Sequence, residues 1–357
     1  MNKKRIFVDV HCLQTVPPSC VNRDDTGSPK TCVYGGVTRS RVSSQAWKKA
    51  IREEFRNLLP AESRGVRTKR IVEMVKEEIL KLDDTISSER AEKDAIKALD
   101  NAGLKIKSVD KGLDVLIFMS RRQAAALAEL SVADEKDKKK FKTALAANPS
   151  VDMALFGRMV ANQASLNYDA SAQVAHAIST HSVRNEYDYF TGVDDLAPED
   201  NTGAGHIGVN EYNSGTLYRY ATVNVMELYR SLGLETPEAV KAFVEAFVKS
   251  MPTGKQNSYA NNTLPCALYI ALREDQPVSM VGAFEKPVPA TAEGYERESE
   301  KRLEEYAEKI YRQFVKEPFA AFVSGDGLEE LADSKPFDQV LEDLETVVKD
   351  LLPVGEE

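Results

Sequence analysis

Apolar residues recur along this chain with two periods. Ile6, Val8 and Val10 alternate with Phe7, Asp9 and His11, which predicts a first strand. Trp47, Ile51, Phe55 and Leu58 recur at helical spacing over 45–59, with Lys48, Arg52 and Arg56 one turn apart on the other side. Ser43 or Ser44 is placed to cap that helix, leaving unbonded N–H groups at its start. Residues 68–82, 87–101 and 121–147 read as further helices, and Leu113–Met119 as strand-like. Val151–Phe156 reads as a strand and Ala172–Thr180 as a short helix. Leu217–Val225 and Leu264–Leu272 read as strands; Pro237–Met251, Tyr295–Phe314 and Phe337–Leu351 read as helices. Cys12–Val42 is loop-rich, with Pro17-Pro18 and Gly35-Gly36, and Gly192–Gly208 is a long polar segment. Strands separated by helices predict an α+β fold with α/β-type alternation, carrying a helical insertion.

Composition narrows the class. At 357 residues and 42% hydrophobic, the chain is globular. It contains no apolar run of about eighteen residues, so no membrane partner is expected. Asp9 and His11 interrupt what would be a signal-peptide core. Cys12, Cys20, Cys32 and Cys266 show neither C-x-x-C nor zinc-ligand spacing, so reduced thiols and a cytoplasmic location are expected. The net charge of −9 hides a split. Residues 1–70 hold fifteen Lys/Arg against six Asp/Glu, whereas 326–357 hold two Lys against eleven Asp/Glu. A polyanion needs local positive charge, which the first segment supplies. The acidic end is either a solvated helix face or a surface attracted to the basic end of a neighbouring copy.

The candidate chemistry favours binding over catalysis. A cation-flanked helix start fed by the Gly35-Gly36 loop is a natural seat for a phosphate. His176 and His181 are five apart, not the i, i+4 of a metal-binding helix. Asp24-Asp25 and Asp194-Asp195 are acidic loop pairs able to hold magnesium, although such carboxylates commonly cap turns. No P-loop, dinucleotide fingerprint or Ser-His-Asp signature is present.

Several ordered blocks carry a family resemblance: Ser19–Asp25, Tyr34–Lys49, Asp152–Met159, Ala175–His181 running on to Tyr189–Leu196, Ser214–Ala221, Gly254–Gln256 and Ser279–Lys286. Together they resemble the backbone subunit of type I-E CRISPR Cascade, the CasC family. The resemblance implies a modified ferredoxin-like, RRM-like palm over 1–56 and 151–357. It also implies a helical finger over 57–150 and a protruding thumb loop at about 190–215. It implies several copies arrayed head to tail along a crRNA, in a ribonucleoprotein of antiviral defence that pairs its guide with target DNA. Large, small, guide-end-binding and guide-processing subunits would be partners, with a recruited helicase-nuclease acting indirectly. By the same resemblance, Arg23, Lys30, Arg39, Arg41, Ser43, Ser44, Gln45, Lys48, Lys49, Arg52, Met159, Lys255 and Gln256 would bind RNA. Phe190, Thr191, Val193, His206 and Ile207 would press on flipped nucleotides. No cofactor and no enzymatic activity are implied. The alternative is a metal-dependent endoribonuclease, related to type III backbone subunits, using Asp24, Asp25, Asp194 or Asp195.

Overall fold

The computed structural model describes residues 5–106, 116–159, 166–192, 195–196 and 206–353. In chain order the elements begin with β1 (Phe7–Ser19), β2 (Thr31–Tyr34), β3 (Val37–Val42) and α1 (Ser44–Leu58). Next come β4 (Gly65–Thr68), α2 (Ile71–Leu82), α3 (Ser88–Asn101), β5 (Ile117–Ser120), α4 (Arg121–Val132), α5 (Lys138–Ala146) and α6 (Val151–Phe156). Then follow β6 (Ala172–Val174), β7 (Ala177–Ser179), β8 (Glu186–Gly192), β9 (His206–Asn224), α7 (Val225–Leu232), α8 (Thr236–Lys249) and α9 (Gln256–Tyr259). β10 (Ala267–Arg273), α10 (Glu296–Gln313), β11 (Ala320–Gly325) and α11 (Phe337–Leu351) complete the series.

The fold is mixed α and β around a large, mainly antiparallel sheet. Among the described residues nine strands join it, in the order β11-β10-β1-β9-β7-β3-β2, with β6 and β8 also paired to β9. β1 runs past the expected six residues because Cys12, Leu13 and Val16 continue its buried surface. Its register with β10 runs from Phe7 opposite Arg273 to Leu13 opposite Ala267. The stretch expected to be loop between Cys12 and Val42 therefore contains the end of β1 and a β2–β3 hairpin. Gly35 and Gly36 turn that hairpin at φ of 60° and 78°. No side chain fits at Gly35, where a Cβ would lie 1.7 Å from the Glu285 carbonyl oxygen.

Two compact units divide the chain. One comprises Met1–Ile51, Val174–Thr222 and Val244–Leu344; the other comprises Arg52–Gln173, Val223–Phe243 and Glu345–Glu357. In the first, Leu303 and Ala307 of α10 join Tyr218, Tyr269, Ala271 and Val323 of the sheet in one apolar cluster. A polar layer lies within it. Tyr218 shares a 2.8 Å hydrogen bond with His11 Nδ1, Tyr220 donates to Asp9, and the Val278 N–H donates to Asp9. Burial pushes the Asp9 carboxyl up to about 6 and the His11 imidazole down to about 3. In the second unit, Ile71, Val75 and Ile79 of α2 meet Ala91, Ala95 and Leu99 of α3, with Leu127, Phe141 and Leu145 closing the core. The i, i+4 spacing of the first two sets aligns them on single helix faces.

Three sequence expectations are corrected here. Residues 121–147 form two helices, because Asp134 takes a φ of 50° and the Asp137 side chain accepts from the Lys139 N–H to start a new one. Val151–Phe156 is a helix with Asp152 in its first turn, closed by Gly157 at a φ of 77°. Ala172–Thr180 holds two short strands, so neither His176 nor His181 is helical. Within the strand-like 113–119, residues 113–115 lie outside the described residues, and the strand itself begins at Ile117.

Candidate nucleic-acid interface

In the first unit, the residues around the start of α1 form a knot of turns with cations on it. Asn22 Oδ1 accepts the Ser43 N–H at 2.9 Å, and its carbonyl accepts the Lys30 N–H at 2.8 Å. The Lys30 carbonyl accepts from Arg41 N at 2.9 Å. Ser43, not Ser44, is the cap: its Oγ accepts the Ala46 N–H and its carbonyl accepts from Trp47. Ser43 is buried, Ser44 half-buried and Gln45 exposed. Arg41 of β3 donates from Nε to the Thr31 carbonyl of β2 and lies 3.3 Å from His176 Nδ1. The His176 imidazole is held below its usual range by burial first, then by Arg41 and Lys30. Lys30, Arg41 and His176 thus share one local field. A shallow cleft beside them is lined by Ser19, Asn22, Lys30, Arg41 and Asn213, among others.

Arg23 and Lys49 are exposed, and Lys48 is half-buried, which pulls its ammonium pKa down. Asp24 caps its own turn, accepting from the Thr26 hydroxyl and the N–H groups of Thr26 and Ser28. These bonds hold its carboxyl below the usual range, the Thr26 hydroxyl contributing most. Lys255 takes a φ of 45°, and its ammonium donates to Asn210 of β9; Gln256 donates to Asn262. Gly254 is pressed against the Cys20 and Val21 carbonyls, where a Cβ would lie 2.1 Å from an oxygen. That close approach ties the Lys255 loop to the Asn22 loop.

Arg39 does not belong to this surface. It is fully buried, donating to the carbonyls of Tyr34 (3.1 Å), Ser179 (2.9 Å) and Phe284 (2.7 Å). The structure thus differs from the expectation of a surface cation: Arg39 is buried, and its donors hold the β2–β3 hairpin to the sheet. Arg52, in the second unit, is likewise committed. Its Nε lies 2.9 Å from the buried Asp152 carboxylate, which also accepts the Gly65 N–H, and its guanidinium lies 4.5 Å from the Phe118 ring centre. Met159 of that unit is 85% exposed.

β8 and the first half of β9 form a two-stranded ribbon, Glu186 opposite Tyr212 through Gly192 opposite His206. Every β8 residue from Glu186 to Thr191 is exposed. Alternation puts Tyr187, Tyr189 and Thr191 on one face with Ile207 and Val209. Phe190 lies on the other face, its ring across Gly208, where a Cβ would come within 2.4 Å of Cζ. Its ring centre is 5.9 Å from that of His206. Val193 and Asp194 fall outside the described residues, while Asp195 is exposed. Sequence reasoning missed Asn22, His176, Tyr187 and Tyr189. The alternation Tyr187-x-Tyr189-x-Thr191 was a legible strand signal for the last two. No group of three or more His, Cys, Asp or Glu side chains among the described residues is arranged to hold a metal ion.

The site thus combines a half-buried cationic turn at the edge of a sheet with a ribbon whose Tyr187, Tyr189, Ile207 and Val209 are exposed. The chain belongs to the CT1975-like protein family, whose model matches residues 8–349. It is similar to a solved chain described as "CRISPR RNA-guided surveillance complex, pre-nicking", at 30% identity and a TM-score of 0.81, covering 96% of this chain and all of that one. A second solved chain, "CRISPR RNA-guided surveillance complex", matches at 28% identity and a TM-score of 0.64, covering 96% and 99% of the two chains. No curated protein matches.

Proposed function

We propose that the chain is the multi-copy backbone subunit of a type I-E CRISPR surveillance complex, holding the crRNA along its length and presenting it in segments to target DNA. The full-length likeness to a surveillance-complex chain carries this reading. The site supports it in kind. Arg23, Lys30, Arg41, Lys48 and Lys49 offer charge to phosphates, and the ribbon offers Tyr, Phe and Ile faces to unstacked bases. In this reading the sheet is an RRM-like palm, the α2–α5 helices are the finger and the ribbon is the thumb. The protein reads backbone and shape, base pairing reads sequence, and cleavage belongs to a recruited partner. The test is co-expression with a CRISPR array, followed by purification and sequencing of bound RNA. Spacer-length guides bound by several copies are expected. A monodisperse chain free of guide RNA at low salt would overturn the proposal. The same complex, incubated with target RNA and magnesium, is expected to leave it intact; regularly spaced cuts lost on replacing Asp25 or Asp195 would restore the endoribonuclease reading.

A further inference from the structure

Three guanidiniums lie inside the protein with no carboxylate partner among the described residues: Arg39, Arg158 and Arg219. Arg39 and Arg158 are ringed by backbone carbonyls of strands, helix ends and loops, as a structural clamp requires. Arg219 is held differently. It sits on β9 between two aromatic faces, 3.7 Å from the Trp47 ring centre and 4.4 Å from that of Phe247. Nη1 donates to Gln14 Oε1 at 2.6 Å, Nη2 donates to the Phe247 carbonyl, and the buried Nε has no partner. Phe247 is among the last four residues of α8, so the guanidinium caps that helix and meets about half a negative charge from its dipole. The two aromatic faces attract the remaining positive charge, and among the described residues no carboxylate pairs with it. Burial draws its pKa down to about 10, which leaves it charged at neutral pH.

Trp47 belongs to the first turns of α1, four residues after the Ser43 cap. The buried cation therefore lies beneath the end of α1 whose macrodipole is already positive. Lys48 and Lys49 follow Trp47 directly. We infer that Arg219 is a positioning residue for the guide: a buried cation that strengthens, from below, the anion seat at the start of α1 without touching the ligand. The inference rests on the guide-binding reading. A buried cation with no ion-pair partner carries a desolvation cost. The two hydrogen bonds that Arg219 donates and the two aromatic faces meet part of that cost, and the RNA polyanion offsets more of it on binding.

The test uses the full chain and a synthetic guide RNA. Arg219→Met fills the slot between Trp47 and Phe247 with a thioether suited to aromatic neighbours. The RNA-free variant removes the Arg219 donors from Gln14 Oε1 and the Phe247 carbonyl and is expected to melt below the parent. It is expected to bind guide more weakly, the direction expected when a buried cation beneath the seat is lost. That loss should shrink as salt rises and screens the field. Arg219→Lys should recover most of the affinity near neutral pH. Unchanged affinity in Arg219→Met, with the parent binding normally, would overturn the inference and leave the guide-binding reading standing; a parent that ignores guide defeats that reading instead. Joint loss of stability and affinity that Arg219→Lys restores in neither would assign Arg219 to capping α8 alone. If Arg219→Met does not fold, Arg219→Lys decides by pH. A charge role predicts that its affinity falls faster than the parent's between about pH 7 and 10, because a buried ammonium deprotonates before a guanidinium. Parallel pH profiles would refute the role.

Discussion

Arg39 and Arg41 are two residues apart on one strand and have opposite fates. Both sit in a cationic block, and residue type alone sends both to the surface. Arg39 instead turns inward and satisfies carbonyls on Ser179 and Phe284, far along the chain. Truncating Arg39 to Ala orphans three buried acceptors and empties the volume of a large side chain. A loss of roughly 3–5 kcal/mol is expected, read as a lowered melting temperature. Arg41→Ala should leave the melting temperature within a few degrees and reduce the salt slope of single-stranded RNA binding by about 0.7 for each phosphate that Arg41 neutralises. If Arg41→Ala lowers affinity at constant slope, Arg41 does not meet phosphate. Arg52 belongs with Arg39 in this contrast, since its removal strands Asp152.

Asp9 and His11 make a second prediction at this scale. The folded chain keeps the Asp9 proton up to about pH 6, above the ordinary carboxylate value of 3.8, so this contribution is full at low pH and is lost as pH rises through about 6. Folded His11 stays neutral down to about pH 3, below the ordinary 6.5, so its contribution is full above that value and is lost as pH falls through about 3. Between pH 4 and 6 the two slopes oppose and nearly cancel. Asp9→Asn removes one of them. Its unfolding free energy, relative to the parent, should then fall by about 1.4 kcal/mol per pH unit on acidification across that window. Urea titrations at pH 4, 5 and 6 measure this, and a constant difference would refute the opposition.

At the scale of elements, α1, α2 and α3 were legible because one face is buried and the other wet, which writes a period of 3.6 into the letters. Even there Leu58 is only half-buried, and Leu59 takes the deeper place. The six residues of α6 are mostly buried on every side, so no period distinguishes helix from strand. β6 and β7 are three residues each, too short for a pattern and fixed by their neighbours in the sheet. Site residues were legible as a composition of cations and small polar groups. Which of them faces solvent was not, since partners far away in the sequence decide it. The ribbon offers the sharpest test. Gly208→Val would displace the Phe190 ring that lies across it. Unfolding free energy should change by less than about 1 kcal/mol, as expected of a surface site, while the number of copies assembled per guide falls. Normal assemblies by electron microscopy would show that Phe190 has no part in joining copies.

For the whole molecule, the charge split acquires a constraint. The acidic end is not a detachable tail: Val340, Leu341, Leu344 and Val348 of α11 are buried, so deleting the helix would remove core. Charge must be altered in place. Asp333, Asp338 and Asp350 are exposed, and converting all three to Asn should shorten assemblies on a guide while sparing the binding of a single copy. Head-to-tail contacts propagate instead of closing, so each weakened joint limits length. The shortening should be largest at low ionic strength, where attraction is least screened; equal lengths at all salts would make the acidic end a solvated face only.

The ribbon has one more consequence, for the cell that makes this chain. Two strands with both faces wet gain little from each other and present Tyr187, Tyr189, Ile207 and Val209 to whatever is nearby. If the chain assembles on a guide as proposed, a copy synthesised in excess of that guide carries the apolar strip uncovered, and the hazard of self-association grows with its concentration. Supply of the guide would then act as quality control on the number of dispersed copies.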